Sequence, residues 1–147
     1  MKTFALPVRF GIMISGLLIA FFLILSLFKV HSNPIYSLFN AVITAFGIYE
    51  AIKSYKYREG NAFNYINGFK VGLITGFIAT VLFTIFFTFY ATELNPDFLI
   101  LLLERFNDYF PAGIGSIVLI VSLMGFCTTV VLTLSFMQLF KPSQNQQ

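Results

Sequence analysis

The stretch from Gly68 to Thr92, GFKVGLITGFIATVLFTIFFTFYAT, decides the fold class. Beyond Lys70 it carries no charged side chain, and a helix of about 20 apolar residues is long enough to cross the hydrocarbon core of a bilayer. Small side chains recur at every fourth position, so on a helix they form one slowly winding stripe. The stripe consists of Gly68, Gly72, Gly76, Thr80, Thr84 and Thr88. This pattern is typical of helices that pack closely inside a membrane.

The composition of the whole chain agrees with a membrane protein. Of its 147 residues, 58% are hydrophobic, 18% aromatic and 10% charged, and the mean hydropathy is +0.86. A soluble domain has about 25% charged residues, and a chain with so few would leave too much apolar surface in water. Soluble enzymes and disordered proteins are therefore excluded. The net charge of +3 comes from dispersed basic residues, so no nucleic-acid partner is expected.

Three further apolar runs have the length of a membrane span. With the stretch quoted above, they predict four spans, at about 10–29, 35–54, 69–92 and 113–140. The N-terminal run is longer than the 7–15 apolar residues of a cleaved signal peptide, so we predict that it is retained as a helix and not cleaved. The sequence predicts an all-α, integral membrane four-helix bundle that forms a single transmembrane domain over residues 1–147.

The basic residues are distributed unequally between the two sides of this arrangement. Seven lie on the side of both termini and of the loop between the second and third spans, and two lie on the other side. Because cytoplasmic loops carry an excess of lysine and arginine, both termini are predicted to be cytoplasmic. The seven are Lys2, Arg9, Lys53, Lys56, Arg58, Lys70 and Lys141.

The external segment before the fourth span has the pattern of an amphipathic helix over about 96–110. Asn95-Pro96-Asp97 supplies a capping residue, a first-turn proline and a first-turn acid. Its apolar side chains, among them Phe98, Leu102 and Tyr109, are expected to dip into the outer headgroup region. Its acidic side chains are expected to stay in water as a partner surface. They are Asp97, Glu104 and Asp108.

The small and polar residues of the spans have two interpretations. The first is close helix packing, in which Gly68, Gly72, Gly76 and Thr80 of the third span meet small residues of the other spans. Asn40 and Thr44 are the corresponding candidates in the second span, and span four offers Ser122, Gly125, Thr129 and Thr133. The second interpretation is a substrate path, which would be lined by Thr80, Thr84, Thr88 and Asn40. A dry bundle favours packing, whereas a polar, hydrated cavity favours transport.

Ionisable residues inside spans are candidates for function, but here they lie near the span ends. Glu50 can form an ion pair with Lys70, or with Lys53 one turn further along its own helix. Cys127 is the single cysteine, and in mid-membrane it is expected to be an inert packing thiol. The sequence has no cluster of catalytic or metal-ligating residues, so we predict no catalytic residue, no metal and no cofactor.

Part of the sequence resembles a known family. The segment Phe63–Gly72, FNYINGFKVG, followed by the long third span to Tyr90 and by Asn95-Pro96-Asp97-Phe98, is similar to domain-of-unknown-function family 4199. These are small four-span membrane proteins common in Bacteroidota. The resemblance covers nearly the whole chain and implies a multi-pass protein of the bacterial inner membrane. It brings no activity and no catalytic residues.

These observations favour a non-enzymatic protein with a structural, accessory or assembly role. Its expected partners are the lipid bilayer and either a second copy of itself or a larger membrane complex. The alternative is a small oligomeric transporter or channel with the threonine- and asparagine-lined path. A membrane-bound or lipid-modifying enzyme is the third interpretation, and no group of residues in the chain supports it.

Overall fold

A computed structural model describes residues 2–28, 35, 37–107 and 113–140. Within these ranges every regular element is helical, so the all-α prediction is confirmed for them. A 3-10 turn, Gly60–Ala62, follows α2, and a π-helical turn, Tyr90–Leu94, continues α3. The α-helices are α1 (Lys2–Leu27), α2 (Ser37–Glu59), α3 (Tyr65–Phe89), α4 (Pro96–Asn107) and α5 (Ile114–Phe140).

Three helices of the described chain are long and apolar enough to cross a membrane. These candidate spans are Ala5–Leu27, Tyr65–Leu94 and Ile114–Phe140. The α2 helix is not among them, because Asn40, Glu50 and Lys53 lower its hydropathy. Crossing by α2, and with it the four-span bundle, stays a prediction.

Two helices extend beyond the predicted apolar runs. The α1 helix begins at Lys2 instead of near residue 10, and α2 continues to Glu59 instead of ending near residue 54. The difference arises because a charged residue ends an apolar run but does not end a helix. In the last turn of α2, Lys56 and Arg58 even interact favourably with the helix dipole. Gly60, with a φ of +52°, then ends the helix in a conformation that suits glycine.

Asparagine side chains cap the two helices that follow. The amide N–H of Ile66 donates to Asn64 Oδ1 at 2.8 Å at the start of α3. The amide N–H of Phe98 donates to Asn95 Oδ1 at 3.2 Å, and Asp97 lies in the first turn of α4. The helix start predicted at Asn95-Pro96-Asp97 is therefore present.

The long helices run alternately in opposite directions, with α3 packed against α1, α2 and α5. At one end, Leu6 of α1, Ala51 of α2 and Val71 of α3 share a buried cluster. We call this the α2–α3 end, since it holds the connection between those helices. At the other end, Phe22 of α1 and Phe87 of α3 meet Phe98 of α4 and Ile117 of α5. This is the α4 end.

Candidate functional site

A tightly packed seam joins α3 to α5. Gly72 lies opposite Thr133 and Gly76 lies opposite Thr129, while Gly125 of α5 receives Thr80 of α3. A Cβ added at Gly72 would lie 2.5 Å from Thr133 Cγ2, and one at Gly125 would lie 2.5 Å from Thr80 Cγ2. The glycines therefore accept the branched side chains of the facing helix. The seam consists of Gly68, Gly72, Gly76 and Thr80 of α3 with Gly125, Thr129, Thr133 and Met137 of α5.

Two hydroxyl groups of the seam are buried between α3 and α5. Thr129 and Thr133 are fully buried, and within the described chain their hydroxyl oxygens have no hydrogen-bond partner. A Cβ on Gly72 would lie 2.9 Å from Thr133 Oγ1, so this oxygen sits directly over the glycine backbone. Such proximity allows Cα–H···O contacts, which occur at helix–helix interfaces. There is therefore no room for an added methyl group between these glycines and the threonines that face them.

The four residues predicted to line a path differ in their contacts. They are Thr80, Thr84, Thr88 and Asn40. Thr80 packs on Gly125, and the Thr88 hydroxyl donates to the Thr84 carbonyl at 2.8 Å. On α2, the Thr44 hydroxyl donates to the Asn40 carbonyl at 2.8 Å. Bonds from a threonine to the carbonyl four residues earlier are common in helices. The side-chain oxygens of Asn40 and Thr84 are buried and have no partner within the described ranges.

A second contact, between α1 and α3, involves a threonine outside the predicted stripe. Thr75 is fully buried, and its hydroxyl donates to the Pro7 carbonyl at 3.3 Å. Gly11 of α1 lies against the same turn of α3, since a Cβ there would be 2.8 Å from Ile78 Cβ. The spacing of four residues in α3 does not include Thr75, so it does not predict this contact.

The ion pair of Glu50 is local to α2. Lys53 Nζ lies 3.2 Å from Glu50 Oε1, three residues along the same helix. Lys70 is exposed on α3. Of the two predicted pairings, the structure therefore has Glu50 with Lys53 and not with Lys70. Residues three positions apart on a helix lie on the same face, so Lys53 is within reach of Glu50 on α2 itself.

A half-open groove lies at the α2–α3 end, between α2 and the last turn of α5. It has a volume of about 410 Å³. Most of the lining comes from one face of α2, and Phe140 of α5 closes one side. The lining residues are Tyr49, Lys53, Lys56, Tyr57, Gly60 and Phe140.

The groove combines positive charge with aromatic rings. The Lys56 ammonium lies 5.4 Å from the ring centre of Phe140 and 5.6 Å from that of Phe63. Lys53 lies 5.6 Å from the ring centre of Tyr49, so both lysines are within cation–π distance. Lys53 is partly neutralised by its carboxylate partner, whereas Lys56 has no ion pair within the described residues. An occupant of this groove therefore meets net positive charge.

At the α4 end, α4 packs on an aromatic cluster. Phe98 is 4% exposed, and its ring centre lies 6.0 Å from that of Phe22 and 6.1 Å from that of Phe87. The Tyr90 hydroxyl binds Ser26 Oγ and accepts a hydrogen bond from Asn95 Nδ2 at 3.2 Å. Partly buried side chains of α4 extend the contact. They are Leu99, Leu102, Leu103 and Phe106.

This packing corrects the expected placement of α4. Phe98 is buried against the ends of α1 and α3 and not in the headgroup region, and Leu102 is partly buried on the same apolar surface. Ile100 and Leu101 are each 53% exposed on the other side. Of the predicted partner surface, Asp97 and Glu104 are exposed, and Asp108, like Tyr109, lies outside the described residues.

Cys127 also differs from its predicted role. It is exposed on α5 and is not a packing thiol. Thr129 faces α3 from the same helix, and two helical residues span about 200°. Cys127 therefore points to the opposite side, away from α3.

Comparison with known proteins places most of this architecture in one family. Residues 9–115 match the model of a family described as a protein of unknown function (DUF4199). The match runs from α1 to the first turn of α5, so Thr129 and Thr133 of the seam and Phe140 of the groove lie beyond it. No curated protein and no solved structure matches the chain.

Proposed function

The chain belongs to the DUF4199 family, whose description assigns no activity, and we propose that it is a non-enzymatic membrane protein with a structural, accessory or assembly role. The observation that carries this proposal is the close packing of the α3–α5 seam. Of the threonines predicted to line a path, Thr80 packs against Gly125, and Thr129 and Thr133 of α5 pack against Gly76 and Gly72. The interior serves packing, and the surfaces are left for lipid and partners.

The proposal includes a four-span topology with both termini on the cytoplasmic side of a bacterial inner membrane. Ile48, Ala51 and Ile52 of α2 are fully buried in the bundle. The α2 helix packs alongside α1, α3 and α5, which supports its crossing the membrane with them. The α2–α3 end also holds the excess of basic residues, which marks the cytoplasmic side.

Cysteine labelling tests this topology at one exposed position on each side. In a Cys127→Ser background, we expect Glu104→Cys to react with a membrane-impermeant maleimide in spheroplasts, because α4 lies outside. Arg58→Cys is expected to react only after the membrane is permeabilised. The Cys127→Ser protein alone gives the background signal. Labelling of position 58 in intact spheroplasts, with protection of position 104, would invert the assignment.

The alternative function, a small oligomeric transporter or channel, is favoured by one observation. The side-chain oxygens of Asn40 and Thr84 are buried without partners in the described chain. Buried polar groups without partners are costly, and a solute that bound them transiently would offset this cost. The test of function therefore has to separate a partner role from solute flux.

Two measurements on the same full-length protein make this separation. Extraction into polymer-bounded native membrane discs is expected to recover the protein in a complex larger than its own oligomer, with a second membrane protein in fixed ratio. In proteoliposomes, ion and small-solute flux is expected to equal that of empty vesicles. Flux that falls in Asn40→Leu and Thr84→Val variants would overturn the proposal in favour of transport. Recovery of the chain without any second protein would also contradict the partner role.

A further inference from the structure

We propose that the groove between α2 and α5 binds the phosphate-bearing headgroup of an anionic phospholipid. The inference goes beyond the accessory role and does not depend on it, since lipid binding is a property of the purified chain. It rests on the proposed topology, in which α2 crosses the membrane and the α2–α3 end is cytoplasmic. It rests on the position of the groove, on its charge and on the shape of its walls.

The groove lies at the depth where lipid headgroups begin. Phe140, which closes one side, is the last residue of the candidate span Ile114–Phe140. Tyr49 and Tyr57 line the same space, and tyrosine is enriched at membrane–water boundaries. A headgroup in the adjacent leaflet would therefore reach the groove without leaving its usual depth.

The charge of the groove suits a phosphate group. Lysine ammonium groups bind phosphate as point charges, and basic pockets between membrane helices at the cytoplasmic side bind anionic headgroups. The Phe140 and Phe63 rings hold the Lys56 ammonium in place without neutralising it. Lys53 contributes less, because Glu50 already balances its charge.

The walls of the groove favour a lipid over a free anion. Phe140 and the two tyrosine rings give it an apolar, aromatic surface, and it is open on one side. Next to Phe140, Leu139 is 72% exposed on α5, so acyl chains can lie against the helix while the headgroup occupies the groove. Inorganic phosphate would gain only the charge interaction, whereas a phospholipid gains both.

Native mass spectrometry of the purified full chain tests this inference directly. The probes are phosphatidylglycerol and phosphatidylcholine with identical acyl chains, added in equal amounts. A lysine near an anionic surface contributes about fivefold in affinity. We therefore expect Lys56→Gln to lower the preference for phosphatidylglycerol about fivefold, and Lys53→Gln to lower it less. Glu50→Gln is expected to raise the preference, because it frees Lys53 and removes a negative charge.

Lys70→Gln is the matched control. It makes the same chemical change at an exposed lysine near the same end of the bundle, outside the groove. It should leave the preference within about twofold of wild type, and circular dichroism of every variant checks its fold. An equal loss in Lys70→Gln and Lys56→Gln, or no gain in Glu50→Gln, would overturn the groove assignment. Displacement of phosphatidylglycerol by millimolar inorganic phosphate would show a soluble anion site and overturn the lipid assignment.

Discussion

Replacing Gly76 by leucine is expected to lower the free energy of unfolding by about 2–3 kcal/mol, the upper part of the range for overpacking. A Cβ at this position would overlap the Thr129 side chain, and it would lie 2.9 Å from Thr129 Cβ. Thr129 is short and belongs to a helix, so it cannot move away unless α5 moves as a whole. The measurement is equilibrium unfolding in mixed micelles, followed by circular dichroism.

Gly16→Leu is the control for this prediction. Gly16 lies within the candidate span of α1, and an added Cβ there would have nothing within 4 Å. It should therefore be close to neutral. A second comparison uses Gly76→Ala, which adds only the Cβ. Combining it with Thr129→Ala removes the two atoms nearest to that Cβ, so the double variant should be more stable than Gly76→Ala alone. If Gly76→Leu unfolds like Gly16→Leu, α3 and α5 do not meet at this seam.

The seam also shows what periodicity can and cannot predict. The spacing of four residues places Gly68, Gly72 and Gly76 on one face of α3, and a similar spacing exists in α5. It does not determine their pairing, because sliding one stripe along the other by four residues again sets small residues against small residues. The observed register, with Gly72 on Thr133 and Gly76 on Thr129, depends on contacts elsewhere in the bundle.

Contacts between distant parts of the chain account for the features that the sequence did not predict. The groove needs Phe140 beside Lys56, and no local pattern relates two residues on different helices. The same holds for α4. Its start and its amphipathic character follow from Asn95-Pro96-Asp97 and the residues after it. The sequence of α4 alone does not determine whether its apolar face contacts lipid or protein. That depends on the aromatic surface formed by α1 and α3, against which α4 packs.

Phe22 is the centre of that aromatic surface. Its ring makes edge-to-face contacts with five others, with ring centres between 5.0 and 6.2 Å away. These rings come from α3, the π-helical turn and α4, so one side chain of α1 joins three other parts of the chain. They are Phe83, Phe86, Phe87, Tyr90 and Phe98. Edge-to-face pairs contribute beyond the area they bury.

Phe22→Ala is expected to lower the free energy of unfolding by about 3 kcal/mol, the lower limit for a buried phenylalanine in a water-soluble core. The lower limit applies because lipid is itself apolar, so the loss comes from the cavity and the missing ring contacts more than from hydration. Phe22→Leu keeps most of the volume and should lose less than about 1.5 kcal/mol. Phe89→Ala removes a ring that is 54% exposed near the same end of the bundle, and it should be nearly neutral.

The α4 helix gives this last prediction an independent measurement. Phe98 packs on Phe22, and Leu102 packs on the same cluster, so loss of the Phe22 ring should loosen α4 before the bundle itself unfolds. In a Cys127→Ser background, a cysteine at position 102 should therefore react faster with a soluble maleimide in Phe22→Ala than in Phe89→Ala. A cysteine at position 104, which replaces the exposed Glu104, should react at the same rate in both. If Phe22→Ala changes neither the stability nor the labelling of position 102, the aromatic cluster does not hold α4 on the bundle. In that case the apolar face of α4 lies in the headgroup region, as its sequence alone would place it.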